Sequence, residues 1–189
     1  MKGGACDYSS IDGVRAAFFN INSAGQNFAG SREGWGTWSL RVHDLVTASS
    51  GGKGGALRDI TDGTSNTILV GEQAGKNLLY HLRTLVPTSN PEAAAQSLTG
   101  SGAWADTFQG DTWVSGRLYN GPDGTANGGG GPCAVNCSNA RTAGLYSWHE
   151  GGAQIALCDG SVRFISQNIG GWTLSSLITA RGSEVVGEF

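Results

Sequence analysis

A histidine and an aspartate, His149 and Asp159, stand nine intervening residues apart, and their side chains together could do chemistry. In contact, an imidazole and a carboxylate could act as a general acid–base pair or bind a metal ion. The simpler interpretation is structural: the histidine ring hydrogen-bonds a backbone carbonyl or a carboxylate, and Asp159-Gly160 forms a hairpin turn. Because such a turn needs aspartate for its geometry alone, we favour the structural role and leave metal binding unassigned.

Cysteine is the second residue type with chemical potential, and four cysteines allow three pairings. If the protein is exported, the simplest arrangement joins Cys133 to Cys137 within a short loop and Cys6 to Cys158 over a long one. The alternative is a zinc site of cysteines with His149. A zinc ribbon usually has two close cysteine pairs, whereas only one is present, so we favour the disulfides.

Tryptophan offers a third possibility, a surface on which a ligand stacks. The candidates to line a groove for a sugar are Trp35, Trp38, Trp104 and Trp113, together with Trp148 and Trp172. The alternative is that these large side chains pack in the core or at an interface. The glycine-rich sequence around them leaves both interpretations open.

Other sites are only weakly indicated. The oxygen-bearing residues between Asn120 and Asn127 could hold calcium, but they lack the EF-hand pattern and its terminal glutamate. Neither a nucleophile elbow nor a phosphate-binding loop is present. We therefore predict no cofactor and no enzymatic activity.

A β-hairpin must position the histidine and the aspartate. With Asp159-Gly160 as a two-residue turn, Leu157 would lie opposite Val162 and Ile155 opposite Phe164. Side chains alternate along a strand, so we expect these four apolar residues to be buried together on one face. Ahead of this hairpin, Gly151-Gly152 forms a glycine corner that follows His149.

Other segments supply the layers around this hairpin. Thr67 to Gln73 is typical of a buried central strand. Helices are predicted over Glu92 to Leu98, capped by Ser89 or Asn90, and over Trp172 to Arg181, with Leu174, Leu177 and Ile178 on one face and Gly182 as the C-cap. Shorter strands are predicted in the segments Cys6 to Gly13, Trp38 to Val42, Ala103 to Phe108 and Thr112 to Tyr119. Antiparallel strands with one or two packed helices make an α+β domain.

Composition limits the function classes. At 189 residues, the chain fits one domain, which we assign to residues 1–189. Glycine accounts for 32 residues, far above the usual ~7%, which indicates a loop-rich domain. The net charge is −3 and there is no basic run, so nucleic acid is not an expected partner. No apolar stretch approaches the ~18 residues that a membrane span needs.

The segment from Ser147 to Phe164 also carries a family resemblance. His149, nine residues and Asp159-Gly160, within Ser-x-His-x-Gly-Gly-Ala and followed by Ser-Val-Arg-Phe, resemble the His-x9-Asp-Gly signature of planctomycete prepilin-like proteins of unknown function. Three further segments are similar to the same family: 62–72, 131–137 and 182–189. The similar segments are spread along most of the chain.

The resemblance implies a pilin-like α+β fold, in which a mainly antiparallel sheet lies against an N-terminal helix. Members of that family carry a prepilin cleavage site and a long hydrophobic helix, and this sequence, which begins Met1-Lys-Gly-Gly, contains neither. We expect that this helix was trimmed from the chain rather than lost by this member.

The resemblance also implies a function: an exported, cell-surface or filament-associated structural subunit of the pilin or pseudopilin kind. Its partners would be other copies of itself or components of a pilin or secretion system, and it would reach the membrane only through the missing helix. The first alternative is an extracellular module that binds a glycan or another solute. The second is a hydrolase with a site near His149.

Overall fold

The computed structural model describes residues 6–16, 18, 34–35, 56–99, 102, 112–124, 130–182, 186–187 and 189. The strands predicted over Trp38 to Val42 and Ala103 to Phe108 lie outside these residues. The strands are β1 Tyr8–Ser10, β2 Gly13–Val14, β3 Gly34–Trp35, β4 Ile68–Glu72, β5 Tyr80–His81, β6 Thr84–Leu85, β7 Trp113–Val114, β8 Gly152–Leu157 and β9 Val162–Ser166. The α-helices whose bounds the structure describes are α1 Pro91–Thr99 and α2 Gly171–Ile178, and short 3-10 helices span Leu57–Asp59 and Thr64–Asn66.

Among the described residues the strands form three sheets, and the largest of these has the order β1-β4-β8-β9 with every neighbouring pair antiparallel. A smaller sheet has the order β3-β2-β7, in which β2 and β7 are parallel, and β5 and β6 form a separate hairpin. This arrangement confirms the predicted fold class: a loop-rich α+β domain with a mainly antiparallel sheet. Within the described residues, no helix is both long enough and apolar enough to cross a membrane.

The predicted central strand is β4, which lies between β1 and β8. Its Gly71 is required by packing, because a Cβ there would lie 2.2 Å from a methyl group of Leu145. By contrast, the strand predicted over Thr112 to Tyr119 is reduced to the two residues of β7. Gly116 ends the extended conformation with a φ of +70°, and its backbone approaches Gly131 closely.

Both predicted helices are present. Asn90 caps α1, since its Oδ1 accepts a hydrogen bond of 2.9 Å from the Glu92 N–H. The apolar stripe of α2 lies in the main core with the buried residues of β8. The predicted C-cap was wrong: α2 ends at Ile178, Thr179 is the C-cap, and the Gly182 N–H binds an Asp62 carboxylate oxygen at 2.8 Å instead.

The hairpin of β8 and β9 is confirmed, but its predicted register was wrong by one residue. Its loop has three residues, because Leu157 N–H donates to the Ser161 carbonyl and Gly160 N–H donates to the Leu157 carbonyl. Cys158 cannot pair with Ser161 because its own N–H is bonded to Thr67, on the β4 side. A glycine with positive φ at the third position, here Gly160 at +87°, is typical of three-residue hairpin loops.

The shifted register changes which apolar residues are buried. Gln154, not Ile155, lies opposite Phe164, and Ala153 lies opposite Ile165. Ile155 and Leu157 are buried as predicted, but Val162 is 68% exposed and Phe164 is 47% exposed. Ile165 takes their place in the core.

Candidate functional site

The two motif residues lie at opposite ends of β8. His149 precedes the strand and Asp159 follows it, so the six residues of β8 separate them by roughly 20 Å. Because β4 runs antiparallel to β8, the end of β4 is adjacent to His149 and the turn before β4 is adjacent to Asp159. The two residues therefore form two separate contacts with one neighbouring segment, not a dyad.

The His149 ring faces Glu72, the last residue of β4. His149 Nε2 lies 3.6 Å from Glu72 Oε1, a distance at which a protonated imidazole forms an ion pair. The His149 side chain is 58% exposed, whereas that of Glu72 is 8% exposed. The second Glu72 oxygen, Oε2, accepts a hydrogen bond of 2.9 Å from the Gln154 N–H in β8. Glu72 therefore connects β4 to both the corner and the start of β8.

The side chains of Arg83 and Asn136 hold the backbone of the corner. Arg83 donates from its two terminal nitrogens to the carbonyls of Trp148, at 2.7 Å, and His149, at 2.9 Å. Asn136 donates to the Gly152 carbonyl at 3.0 Å and accepts from the Ser147 N–H at 2.8 Å. The motif histidine is thus held mainly through its backbone.

The two glycines of the corner have different roles. Gly151 has a φ of +82°, a conformation that favours glycine. Gly152 pairs with Ser166, and a Cβ on it would lie 1.9 Å from the Ile165 carbonyl oxygen. Gly152 therefore allows β9 to approach β8 at the end of the hairpin.

Asp159 organises the hairpin loop. Its Oδ1 accepts hydrogen bonds from the Ser161 N–H, at 2.8 Å, and the Ser161 hydroxyl, at 2.7 Å. Its own N–H donates to the Thr64 carbonyl at 3.1 Å. The hydrogen bonds from Ser161, then that from Ser65, hold the pKa of the Asp159 carboxyl below its usual range, so the carboxylate stays ionised.

Of the two predicted disulfides, the structure contains the local one and not the long-range one. Cys133 and Cys137 form a disulfide with a Cα–Cα distance of 6.2 Å, whereas Cys6 and Cys158 are free thiols. The predicted long-range pair was wrong because β4 separates the two residues. Cys6 lies near the end of β4 that holds Glu72, and Cys158 bonds at the opposite end. Burial raises the pKa of the Cys158 thiol to about 11.

Of the predicted tryptophan surface, only part is described. Trp113 is half-buried, with the Arg15 guanidinium 4.8 Å from its ring centroid. The side chain of Trp35, and Trp38 and Trp104 as a whole, lie outside the described residues. Trp148, another of these candidates, is exposed and packs edge to face against Tyr80, at 4.8 Å between ring centroids. Trp172 is partly buried against the main core.

The loop in which calcium was weakly indicated carries an ion-pair network. Asp123 accepts from Arg117 at 3.1 Å and from the Gly130 N–H, and a second Arg117 nitrogen donates to Glu92 at 3.0 Å. Glu92 also lies 3.8 Å from His81, whose pKa burial holds below its usual range. In the described part of the chain, no group of three acidic, histidine or cysteine side chains is placed to hold a metal ion.

Comparison with known proteins identified a family. A family model described as a protein of unknown function (DUF1559) matches residues 7–171, which is most of the chain. A search of the curated proteins found no match. A search of the solved structures found no match either.

Proposed function

This chain belongs to the family described as protein of unknown function (DUF1559), and we propose that it is an exported, pilin- or pseudopilin-like structural subunit. It acts at the cell surface or in association with a filament, through protein–protein interfaces. Its partners are other copies of itself or components of a pilin or secretion system.

The observation that carries this proposal is the solvent face of the main sheet. One row of side chains runs across it from Ser10 through Val70 and Ala156 to Val162. In the adjacent row, Tyr8 lies opposite Glu72 and Phe164 lies opposite Gln154. The large apolar members of both rows at the two edges, Tyr8, Val162 and Phe164, are exposed. Val162 and Phe164 lie two positions apart on the edge strand β9, and exposed apolar side chains grouped in this way are found at interaction sites.

The contacts that His149 and Asp159 make support a structural rather than a catalytic role. Asp159 is engaged by Ser161, and the backbone at His149 is held by Arg83. We expect no turnover on generic ester, peptide or glycoside substrates. Reproducible activity that disappears in a His149→Ala protein would replace this proposal with the hydrolase alternative.

Export is supported by the Cys133–Cys137 disulfide, because disulfides persist in oxidising compartments and are rare in the cytosol. The resemblance of the His149–Asp159 segment to prepilin-like proteins supports the same location. A disulfide is also compatible with an extracellular binding module.

Photo-crosslinking in the producing cell tests the proposal. A photoreactive phenylalanine analogue replaces Phe164 on the sheet face in one strain and Leu98 in a control strain. Leu98 is 87% exposed but lies on α1, outside the main sheet. We expect defined adducts with a second copy or another exported assembly protein from position 164, in the surface fraction, and not from position 98. Retention of the protein inside the cell, or equal adducts from both positions, would contradict the proposal.

A second candidate, binding of a glycan or another solute, is favoured by Trp148. Its ring is exposed beside His149 and Glu150, so an apolar surface and polar groups that could hydrogen-bond a sugar lie next to each other. Titration with oligosaccharides, followed by tryptophan fluorescence, distinguishes this candidate. A saturable change in the natural protein that is absent from Trp148→Ala would support it.

A further inference from the structure

The strand β9 is an edge of the main sheet, and no described strand pairs with its outer side. Leu157 N–H donates to the Ser161 carbonyl, and Gln167 N–H donates to the Gly151 carbonyl. In the register of the hairpin, the odd-numbered residues from 161 to 167 therefore form the backbone bonds to β8 and its flanking residues. In an antiparallel pair the bonding residues alternate, and the N–H and C=O groups of Val162 and Phe164 therefore point away from β8. Within the described residues, no hydrogen bond outside the sheet reaches the backbone of Val162 or Phe164.

The opposite edge, β1, differs in this respect. Just before β1, Cys6 donates its N–H to Gly102 at 2.8 Å. The Cys6 thiol lies 3.0 Å from the Tyr8 carbonyl oxygen, and the Ser9 hydroxyl donates to the Ser10 carbonyl at 3.2 Å. Natural proteins commonly protect edge strands with proline, bulges, charged side chains or covering segments. β9 contains no proline and no bulge, and its one charged side chain is Arg163.

The side chains of β9 define what would fit beside it. On the solvent face, the exposed side chains of Val162 and Phe164 favour apolar residues at the facing positions of an added strand. On the other face, Arg163 is exposed, and its guanidinium lies 5.0 Å from the Phe189 ring centroid. Arg163 forms no ion pair with any described residue, although the charge of Asp159 acts on it at longer range. A carboxylate opposite Arg163 would complement this charge.

Charge also distinguishes between possible occupants. If β9 of a second copy paired antiparallel with Phe164 opposite Phe164, each Arg163 would lie opposite Ile165 of the partner copy. The two guanidinium groups would then be diagonal neighbours, and like charges that close are unfavourable. A different strand that carries an acidic residue avoids this repulsion.

We propose that the outer edge of β9 binds an extended segment of a partner protein, added as an antiparallel strand, with an acidic residue flanked by two apolar residues. The backbone bonds supply the affinity and the alternating side chains supply the specificity, as in other cases of strand addition. This inference rests on the proposed function and states the chemistry of the partner.

Peptide titration of the isotope-labelled protein, followed by amide NMR, tests this inference. The probe is the acetylated and amidated heptapeptide Ser-Thr-Val-Glu-Val-Thr-Ser, whose glutamate would face Arg163. We expect saturable shifts of the Val162 and Phe164 amide signals. A peptide with lysine in place of glutamate should bind about threefold to fivefold more weakly. A peptide N-methylated at both valines should not bind, because it loses the backbone donors.

A charge reversal provides the matched control. In Arg163→Glu the preference should reverse, so that the lysine peptide binds more tightly than the glutamate peptide. Arg58→Glu, which reverses an exposed arginine in a turn before β4, should leave the natural preference unchanged. Absence of shifts at Val162 and Phe164, equal binding of the N-methylated peptide, or an unchanged preference in Arg163→Glu would overturn the inference.

The remaining outcomes separate this inference from the proposed function. Shifts of the same amides on dilution without peptide would identify a second copy as the occupant and overturn the acidic-strand inference. If position 164 crosslinks to exported proteins but the peptides do not bind, the strand-addition inference fails and the proposed function stands. If the peptides bind but the protein stays inside the cell, the proposed function fails.

Discussion

At the scale of single residues, Glu72 shows how one buried carboxylate can join distant parts of a chain. It accepts the Gln154 N–H, 82 residues away in sequence, and lies within ion-pairing distance of His149. A buried carboxylate without partners would be costly, so the groups around Glu72 are part of what allows it to be there. The exposed histidine therefore contributes to stability through a buried neighbour.

Replacement of His149 should show this contribution. We expect His149→Ala to lower the free energy of unfolding by about 0.5–1 kcal/mol, because Glu72 loses a neighbour that is itself half-exposed. For a domain of this size, that is a decrease in Tm of roughly 1–4 °C. Thermal melts of the natural and variant proteins with and without chelator measure the effect. A chelator effect that vanishes in the variant would show that His149 binds a metal ion.

Asp12 predicts a dependence of stability on pH. Burial raises its pKa to about 6 from 3.8, against the opposing effects of Arg141, a hydrogen bond from the Thr112 backbone and Arg15. The folded state therefore holds the proton more tightly than the unfolded state does. The stability contributed by protonated Asp12 is fully present below about pH 4 and is lost as the pH rises to about 6.

Asp12→Asn removes this titration. Above pH 6 the variant should be more stable than the natural protein, by up to about 3 kcal/mol, and the two should be equal near pH 4. Urea unfolding at pH 4, 5, 6 and 7 measures the difference, with Glu150→Gln as a control at an exposed carboxylate. A difference that does not change with pH would contradict the assignment of the effect to Asp12.

At the scale of elements, the hairpin of β8 and β9 marks how far a sequence pattern reaches. The Asp159-Gly160 turn, both strands and the burial of Ile155 and Leu157 could be predicted from alternation and turn chemistry. The register could not, because bonds from Cys158 and Asp159 to the segment before β4 decide whether the loop has two residues or three. Those bonds join residues about 90 positions apart, and no local pattern contains them.

The same limit applies to the candidate site. His149, Asp159 and the glycines could be chosen from the sequence, whereas their partners Glu72 and Arg83 could not. Glu72 is the last residue of segment 62–72, which resembles the same family. That resemblance was the one signal in the sequence that could have pointed to Glu72 as a partner of His149. The α1 cap was predictable because Asn90 acts on a residue two positions away.

The register can be tested by two substitutions in adjacent residues of β9. Ile165→Ala should lower the free energy of unfolding by about 2–5 kcal/mol, because it leaves a cavity in the core. Phe164→Ala should cost about 1 kcal/mol or less, because the ring is half-exposed on the solvent face. Urea unfolding gives both values. The opposite order would mean that the two-residue loop, with Phe164 inside, is the register in solution.

At the scale of the whole molecule, three segments that are far apart in sequence converge at one corner. β4 supplies Glu72, the disulfide loop supplies Asn136, and the segment before β8 supplies His149. Arg83 adds a fourth contact from the β5–β6 hairpin. Three of the four segments with family resemblance, 62–72, 131–137 and 147–164, are therefore parts of one scaffold, which fixes the sheet whose solvent face and edge are proposed to bind partners.

The state of the cysteines tests this arrangement of the whole chain. We expect two free thiols in the denatured, non-reduced protein, because β4 keeps Cys6 and Cys158 at opposite ends of the sheet. In the native protein Cys6 should react first, since Cys158 is buried and its raised pKa keeps it protonated at neutral pH.

Reduction of the Cys133–Cys137 bond should lower stability by about 2 kcal/mol, the loop-entropy value for so short a ring. Closing the long loop between Cys6 and Cys158 would instead contribute about 5 kcal/mol. Thiol counting before and after denaturation gives the number of free cysteines. Thermal melts in reducing and non-reducing buffer give the loss of stability on reduction. Zero free thiols in the monomeric protein would contradict the assignment of Cys6 and Cys158 as free thiols, whereas four would contradict the local disulfide. Two free thiols and a loss of about 2 kcal/mol on reduction are the results expected from one local disulfide and a separated Cys6 and Cys158.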